Sequence, residues 1–320
     1  MLVDAHLDIA WNALAEGRGF DAAPAPGYLV SRRSLIEAGV GLAFATLYCR
    51  PYGEGGRRPP FSYRTPREAH LVARAQVGYY HAVGLPLVRT PAELARYVRR
   101  WRRGRLAAVL LMEGADPIEE PGQVEVWTEL GVRIVGPAWS GTRYAGGTGA
   151  PGGLTGLGFE LLREMERHGL LLDVSHLAEH AVRDAFDAWR GPLLASHSNA
   201  QALVPGDRQL ADWALREIGD RGGVVGVNFY AKFLRTDGRP AGLDDVVRHV
   251  RHLARATGGA EHVGLGTDLD GGFPAASAAI RRLSRLTELE PRLRRHFGAA
   301  QVEGILGGNW LEFLDRSLPG

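Results

Sequence analysis

The sequence predicts an α/β fold of the (β/α)8 TIM-barrel type, and three observations carry that prediction. Apolar runs of strand length recur eight times along the 320 residues. Segments with helical spacing and helix-start signals lie between them. The runs are apolar almost throughout rather than alternating, as expected of parallel strands covered by helices on both faces. A chain this long has room for two average domains, but alternating barrels run past about 250 residues as one unit. Residues 1–320 are therefore taken as a single barrel domain.

The first run, "LVDAHLDIAW", places Asp4, His6 and Asp8 at every second position. In a regular strand these three share one face and the apolar residues share the other. The second run, "LAFATLYC" (42–49), ends at Cys49, the only cysteine, which suits a small core position. Gly/Pro-rich stretches follow both runs, "FDAAPAPGY" (20–28) and "RPYGEGGRRPPF" (50–61), and are expected as loops on the catalytic rim. In "RTPREAHLVARAQVGYY", Thr65 caps a helix, Pro66 fits its first turn and Glu68 completes a capping box. "RTPAELARYVRRW" repeats the device with Thr90, Pro91 and Glu93. The remaining strands are "LAAVLLME" (106–113), "VRIVGPAW" (132–139), "LLLDVSH" (170–176), "PLLASHS" (192–198), "GVVGVNFY" (223–230) and "HVGLGTDLDG" (262–271). The tail from Arg281 to Arg295 and the stretch "VEGILGGNWLEFL" are expected as helices packed on the outside.

Composition narrows the function classes. With 45% hydrophobic and 23% charged residues, the chain can bury a large core. A net charge of +2 is too small for a nucleic-acid-binding field, and no RNA-binding or helix-turn-helix signature is present. One cysteine permits neither an intrachain disulfide nor a cysteine-based zinc knuckle. There is no signal-peptide pattern at the N-terminus and no run of 18 apolar residues. The expectation is a cytoplasmic chain with no membrane and no nucleic-acid partner, for which a homodimer is allowed.

Ionisable residues gather at the C-terminal ends of five strands: His6 and Asp8, Glu113, His176, His197 and Asp268. That end is the catalytic rim of such a barrel. Each residue sits in an apolar run, where an unpaired charge costs several kcal/mol, so each must be paired, hydrogen-bonded or metal-bound. A metal satisfies all of them together, and a set of imidazoles and carboxylates suits zinc first, manganese or iron next. Asp270 is expected to begin a turn with Gly271, and His180 to be structural. His70, His81, His168, His249, His252, His262 and His296 lie away from the rim and are expected in solvent.

Taken in order, "DAHLDIAW", "LLMEGAD", "LLLDVSH", "ASHSNAQALVPGDRQL", "GVNFY" and "GLGTDLDG" resemble the membrane (renal) dipeptidase family over nearly the whole chain. The resemblance implies a metallo-dependent hydrolase with two zinc ions per chain. His6 and Asp8 would bind one, His176 and His197 the other, and Glu113 would bridge them. It also implies that Arg208 grips the substrate's terminal carboxylate and that Asp268 handles protons; Tyr230 and Trp139 are expected to contact substrate as well. The implied activity is zinc-dependent hydrolysis of the amide bond of dipeptides by a metal-bridging hydroxide. Two alternatives stand beside it: a binuclear amidohydrolase acting on N-acyl amino acids, D-residue dipeptides or lactams, and a metal-binding protein without catalysis. Relatives that bridge their metals with a carboxylated lysine on the fourth strand differ, because Lys232 is the only lysine here. Deaminase-like barrels usually carry His-x-His on the first strand, where this chain has His-x-Asp. One departure from the dipeptidase pattern is Trp139, which stands where those enzymes place a histidine on the reacting carbonyl oxygen. Arg143 and Tyr144 are candidates to supply that missing donor.

Overall fold

Eight parallel strands form a ring in the computed structural model, which describes residues 1–53 and 61–320. They are β1 (Leu2–Leu7), β2 (Val40–Tyr48), β3 (Ala107–Glu113), β4 (Val132–Gly136), β7 (Leu171–Asp173), β8 (Leu193–Leu194), β9 (Val225–Val227) and β10 (Val263–Leu265). Each pairs in parallel with the next around the ring, β1 pairs with β10, and a bridge from Ala195 to Val225 closes the gap between β8 and β9. This is the (β/α)8 barrel that the alternating pattern predicts. The 54–60 part of the proline-rich loop after β2 lies outside the described residues.

Two apolar layers hold the ring. The inner one takes Leu42 and Phe44 from β2, Ala107, Val109 and Leu111 from β3, and Ile134, Leu171 and Leu194 from the next three strands. The outer one takes the alternate residues, such as Ala43, Ala45, Leu110 and Met112, and packs them under the helices. The helix Pro66–Ala82 starts as its sequence dictates, with Thr65 and Glu68 exchanging both bonds of a capping box. At Pro91–Arg100 the device is half realised. Thr90 accepts from the Glu93 N–H, while the Glu93 carboxylate accepts from the Arg89 N–H instead.

Three expectations need correction. First, Asp4 does not share a face with His6 and Asp8. Asp4 aligns with Ala43 and Leu7 with Ala45, so β1 advances three residues where β2 advances two. This bulge leaves Asp4 turned towards β10, where its carboxylate accepts from the Thr267 N–H (2.8 Å) and hydroxyl (2.6 Å). Second, the C-terminal segment does more than coat the outside. The helix Asn309–Ser317 inserts Trp310 against Phe44 at the closed end of the barrel, and the Trp310 indole donates to the Leu265 carbonyl (3.0 Å). Gly264 makes room for it, since a Cβ there would lie 2.1 Å from the indole nitrogen. Third, His70, His249 and His252 are buried, not solvated.

The sequence also conceals one element. Between β4 and the helix Gly156–Arg167, an antiparallel hairpin of β5 (Ala145–Gly147) and β6 (Ala150–Leu154) folds over the rim. Its glycines permit the close approach: a Cβ on Gly146 would lie 2.6 Å from the Gly152 backbone. Among the described residues, no helix is long and apolar enough to cross a membrane.

Candidate metal centre

His6, Asp8, Glu113, His176, His197 and Asp268 meet at the C-terminal mouth of the barrel, all buried except His176, which is nearly so. The way they reach it differs from strand to strand. Glu113 is the last residue of β3, and the β1 bulge swings His6 inward. His176, His197 and Asp268 each lie three residues beyond the last ladder residue of β7, β8 and β10, rather than inside the strand as their apolar context suggested. His176 and Asp268 leave the strand direction through left-handed backbone, with φ of 67° and 56°.

The three imidazoles present the same nitrogen to the same oxygen. Nε2 of His176, His197 and His6 lies 3.1, 3.3 and 3.5 Å from Glu113 Oε1. Asp8 Oδ1 lies 3.9 Å from His6 Nε2. Their outer nitrogens are held elsewhere: Ser196 Oγ sits 2.7 Å from His197 Nδ1 and 3.3 Å from His6 Nδ1, and Thr148 Oγ1 sits 3.0 Å from His176 Nδ1. Such partners fix ring orientation in metal sites. The Thr46 hydroxyl donates to the Asp8 carboxylate, and Asn228 Nδ2 donates to Asp268 Oδ2 (3.0 Å).

This packing suits a cation. His6 Nε2 is buried with no hydrogen-bond partner among the described residues, and His176 Nε2 lies only 3.1 Å from His197 Nε2. Three overlapping groups have ligand atoms within 4.8 Å of one another: His6 with Asp8 and Glu113; Glu113 with His176 and His197; His6 with His197 and Asp268. A nitrogen and oxygen donor set of this kind fits a zinc-like divalent ion. Asp268 is thus within ligand reach as well as near the cavity.

The electrostatics tell the same story. Burial raises the Asp8 and Asp268 carboxyls, to about 6 and about 8, and the neighbouring Glu113 charge adds to both. Burial works against the His6 cation, yet the adjacent Glu113 carboxylate, together with Asp8 and Asp268, overrides it and lifts His6 to about 9. Burial and the Arg208 cation push His176 down to about 4. Glu113 is held far below the usual carboxylate range, because His6, His176 and His197 outweigh the burial that opposes its charge.

Above the cluster opens a cavity of about 310 Å³. Arg208 lines it from the loop after β8, buried, with Nη2 donating to the His197 carbonyl (2.8 Å) and Nη1 to Ser198 Oγ (3.2 Å). Its Nε has no hydrogen-bond partner among the described residues. Tyr230 and Trp139 line the cavity too. Tyr230 stacks on Phe273 (4.5 Å), and Trp139 meets Tyr48 edge-on (5.1 Å). Arg143 and Tyr144 do not reach it: Arg143 donates to the Ile118 and Glu119 carbonyls, and the Tyr144 hydroxyl to Ile118. Asp270 does more than begin a turn, since its buried carboxylate accepts from the Leu29 and Val30 N–H groups of the rim loop. His180 is exposed beside Asp184 and takes no part in the centre. Sequence reasoning missed Thr46, Thr148, Ser196 and Asn228, whose residue types are ordinary and whose value lies only in what they touch. Gly-rich "YAGGTGAPGG" is the one local signal that a tight hairpin, and hence Thr148, sits there.

Comparison with known proteins agrees with this geometry. Residues 1–316 match the family model described as "Membrane dipeptidase (Peptidase family M19)". An uncharacterized protein in the pqqA 5' region of Klebsiella pneumoniae is 37% identical over 223 residues, covering 65% of this chain and 81% of that protein. The chain spans about half the length of several other curated relatives. Among solved structures, the dipeptidase AC, a metallopeptidase, superposes with a TM-score of 0.87 at 29% identity, covering 100% of this chain and 99% of that one. A metallopeptidase from Rhodobacter sphaeroides, liganded with a phosphinate mimic of the dipeptide L-Ala-D-Ala, gives 0.86 at 28% identity, covering 99% of both. With its barrel, its buried cluster and a family match from end to end, the chain belongs to the membrane dipeptidase family, peptidase family M19.

Proposed function

We propose that the protein is a zinc-dependent dipeptidase. The observation that carries this reading is the convergence of three imidazole Nε2 atoms on Glu113 Oε1 beneath a cavity that also contains a buried arginine. His6 and Asp8 would hold one ion, His176 and His197 a second, with Glu113 between them. When bound, such ions make a water acidic and polarise a carbonyl.

The other residues act on substrate. Arg208 keeps its fork fixed on Ser198 and the His197 carbonyl and offers remaining donors to a carboxylate, which a planar guanidinium binds through paired charge-assisted bonds. Asp268, oriented by Asn228, accepts a proton from the attacking water and returns it to the leaving amine. Trp139 and Tyr48 wall the cavity and exclude water. The Rhodobacter relative's L-Ala-D-Ala mimic supports a second residue of D configuration as one class to test.

The test is metal analysis of protein purified without chelator, coupled to a screen of L,L and L,D dipeptides and their C-terminal amides. About two zinc ions per chain are expected, with turnover that needs the free carboxylate. Full activity with one metal or none would overturn the two-ion reading. Equal turnover of the amides would move the assignment to N-acyl amino acids or lactams, and no turnover of any amide would leave a metal-binding protein.

A further inference from the structure

We propose that Arg50 selects substrates whose amino-terminal residue carries an acidic side chain. The inference rests on the dipeptidase reading for the direction in which substrate lies, and its own basis is a second guanidinium in the cavity.

Arg50 follows β2 by two residues and lines the same cavity as Arg208. In the ring order β1, β2, β3, β4, β7, β8, β9, β10, the strands β2 and β8 stand opposite each other. The two arginines therefore flank the metal-ligand cluster from opposite sides. A substrate with its terminal carboxylate on Arg208 and its peptide bond over the cluster extends its amino-terminal residue towards Arg50.

The Glu16 and Asp8 carboxylates act on the Arg50 charge from a distance, but neither pairs with it directly. Arg50 Nε donates to the Tyr48 hydroxyl (3.3 Å), and its guanidinium carbon lies 5.9 Å from the Trp11 ring centre. No carboxylate of a described residue forms an ion pair with it. The carboxylates lining the cavity are Asp8, Glu113 and Asp268, all three of which belong to the cluster. Tyr48 packs edge-on against both Trp11 (4.9 Å) and Trp139 (5.1 Å), so the arginine emerges beside an aromatic wall. Low-dielectric surroundings of this kind strengthen charge interactions. A free ammonium approaching from the amino-terminal side meets a like charge. An aspartate or glutamate side chain on the same residue offsets it and can accept two parallel N–H bonds.

The experiment compares the near-isosteric dipeptides Glu-Ala and Gln-Ala on the zinc-loaded protein, with the second residue in whichever configuration is hydrolysed. Non-hydrolysable phosphinate isosteres of both are titrated calorimetrically into the same protein. Native protein should favour the glutamyl member by about 10-fold or more in kcat/KM and in affinity. Arg50→Gln should bring both ratios close to one, and Arg50→Lys should keep part of the preference. Gln-Ala turnover serves as the folding control. Ratios near one in the native protein, or a preference that survives Arg50→Gln, would overturn the assignment. If no dipeptide is cleaved while the glutamyl isostere still binds preferentially through Arg50, the dipeptidase reading fails and the assignment of Arg50 stands.

Discussion

Asp268 is held in place by its backbone and by two neighbours. Its backbone is left-handed, Asn228 fixes one carboxylate oxygen, and Gly271 must lack a side chain because a Cβ there would lie 1.8 Å from the other. Burial and the nearby Asp8 and Glu113 charges lift its carboxyl to about 8. Asp268→Asn keeps the shape and the Asn228 neighbour but cannot carry the proton. Turnover should fall by about 100-fold or more while bound zinc stays near the native amount, as read by steady-state kinetics alongside elemental analysis. Loss of metal together with activity would make Asp268 chiefly a ligand, a role its distance to His6 and His197 permits. These residues were legible in the sequence because ionisable groups in apolar runs demand an explanation. Thr148 and Ser196 were not, because a hydroxyl carries no such demand.

Among the elements, the rim is built by mutual bracing. The loop after β1 is tied to the turn after β10 by Asp270, whose carboxylate takes the N–H groups of Leu29 (2.9 Å) and Val30 (2.7 Å), and by the Gly27 carbonyl accepting from Ala275 N–H (2.8 Å). That turn also supplies Gly271, Gly272 and Phe273 to the cavity wall. Asp270→Ala leaves two N–H groups unpaired, one of them on buried Leu29, at a cost of about 2–4 kcal/mol by the usual desolvation penalty. Urea unfolding should show that loss, and limited proteolysis should cut within residues 20–30 faster than in the native protein. An unchanged urea midpoint would mean the loop is held by other contacts. The strand count, the helix starts at Thr65 and Thr90, and the loop after β1 were readable from periodicity and capping chemistry. The β1 bulge was not, since a slip of one residue depends on the register with β2 and leaves no mark in the local pattern.

At the scale of the whole molecule, the barrel separates chemistry from stability. The open end carries the ligand cluster, and the other end is closed by Trp310, fully buried against Phe44 and hydrogen-bonded to Leu265. Trp310→Ala should cost about 3–5 kcal/mol of folding stability, with zinc content and kcat little changed below the new melting temperature. Parallel loss of metal at low temperature would instead tie the plug to the active end. The sequence by itself determined the eightfold strand and helix alternation, the family, and the ionisable residues that gather at the strand ends, because hydrophobic period and misplaced charges are written locally. Only the tertiary structure decided that Asp4 braces β10 instead of joining the cluster, that Thr148 is delivered by a hairpin, that Trp310 plugs the barrel, and that Arg50 and Arg208 line one cavity. Each of these depends on which strands become neighbours around a closed ring, a relation between residues far apart in the chain that no local pattern encodes.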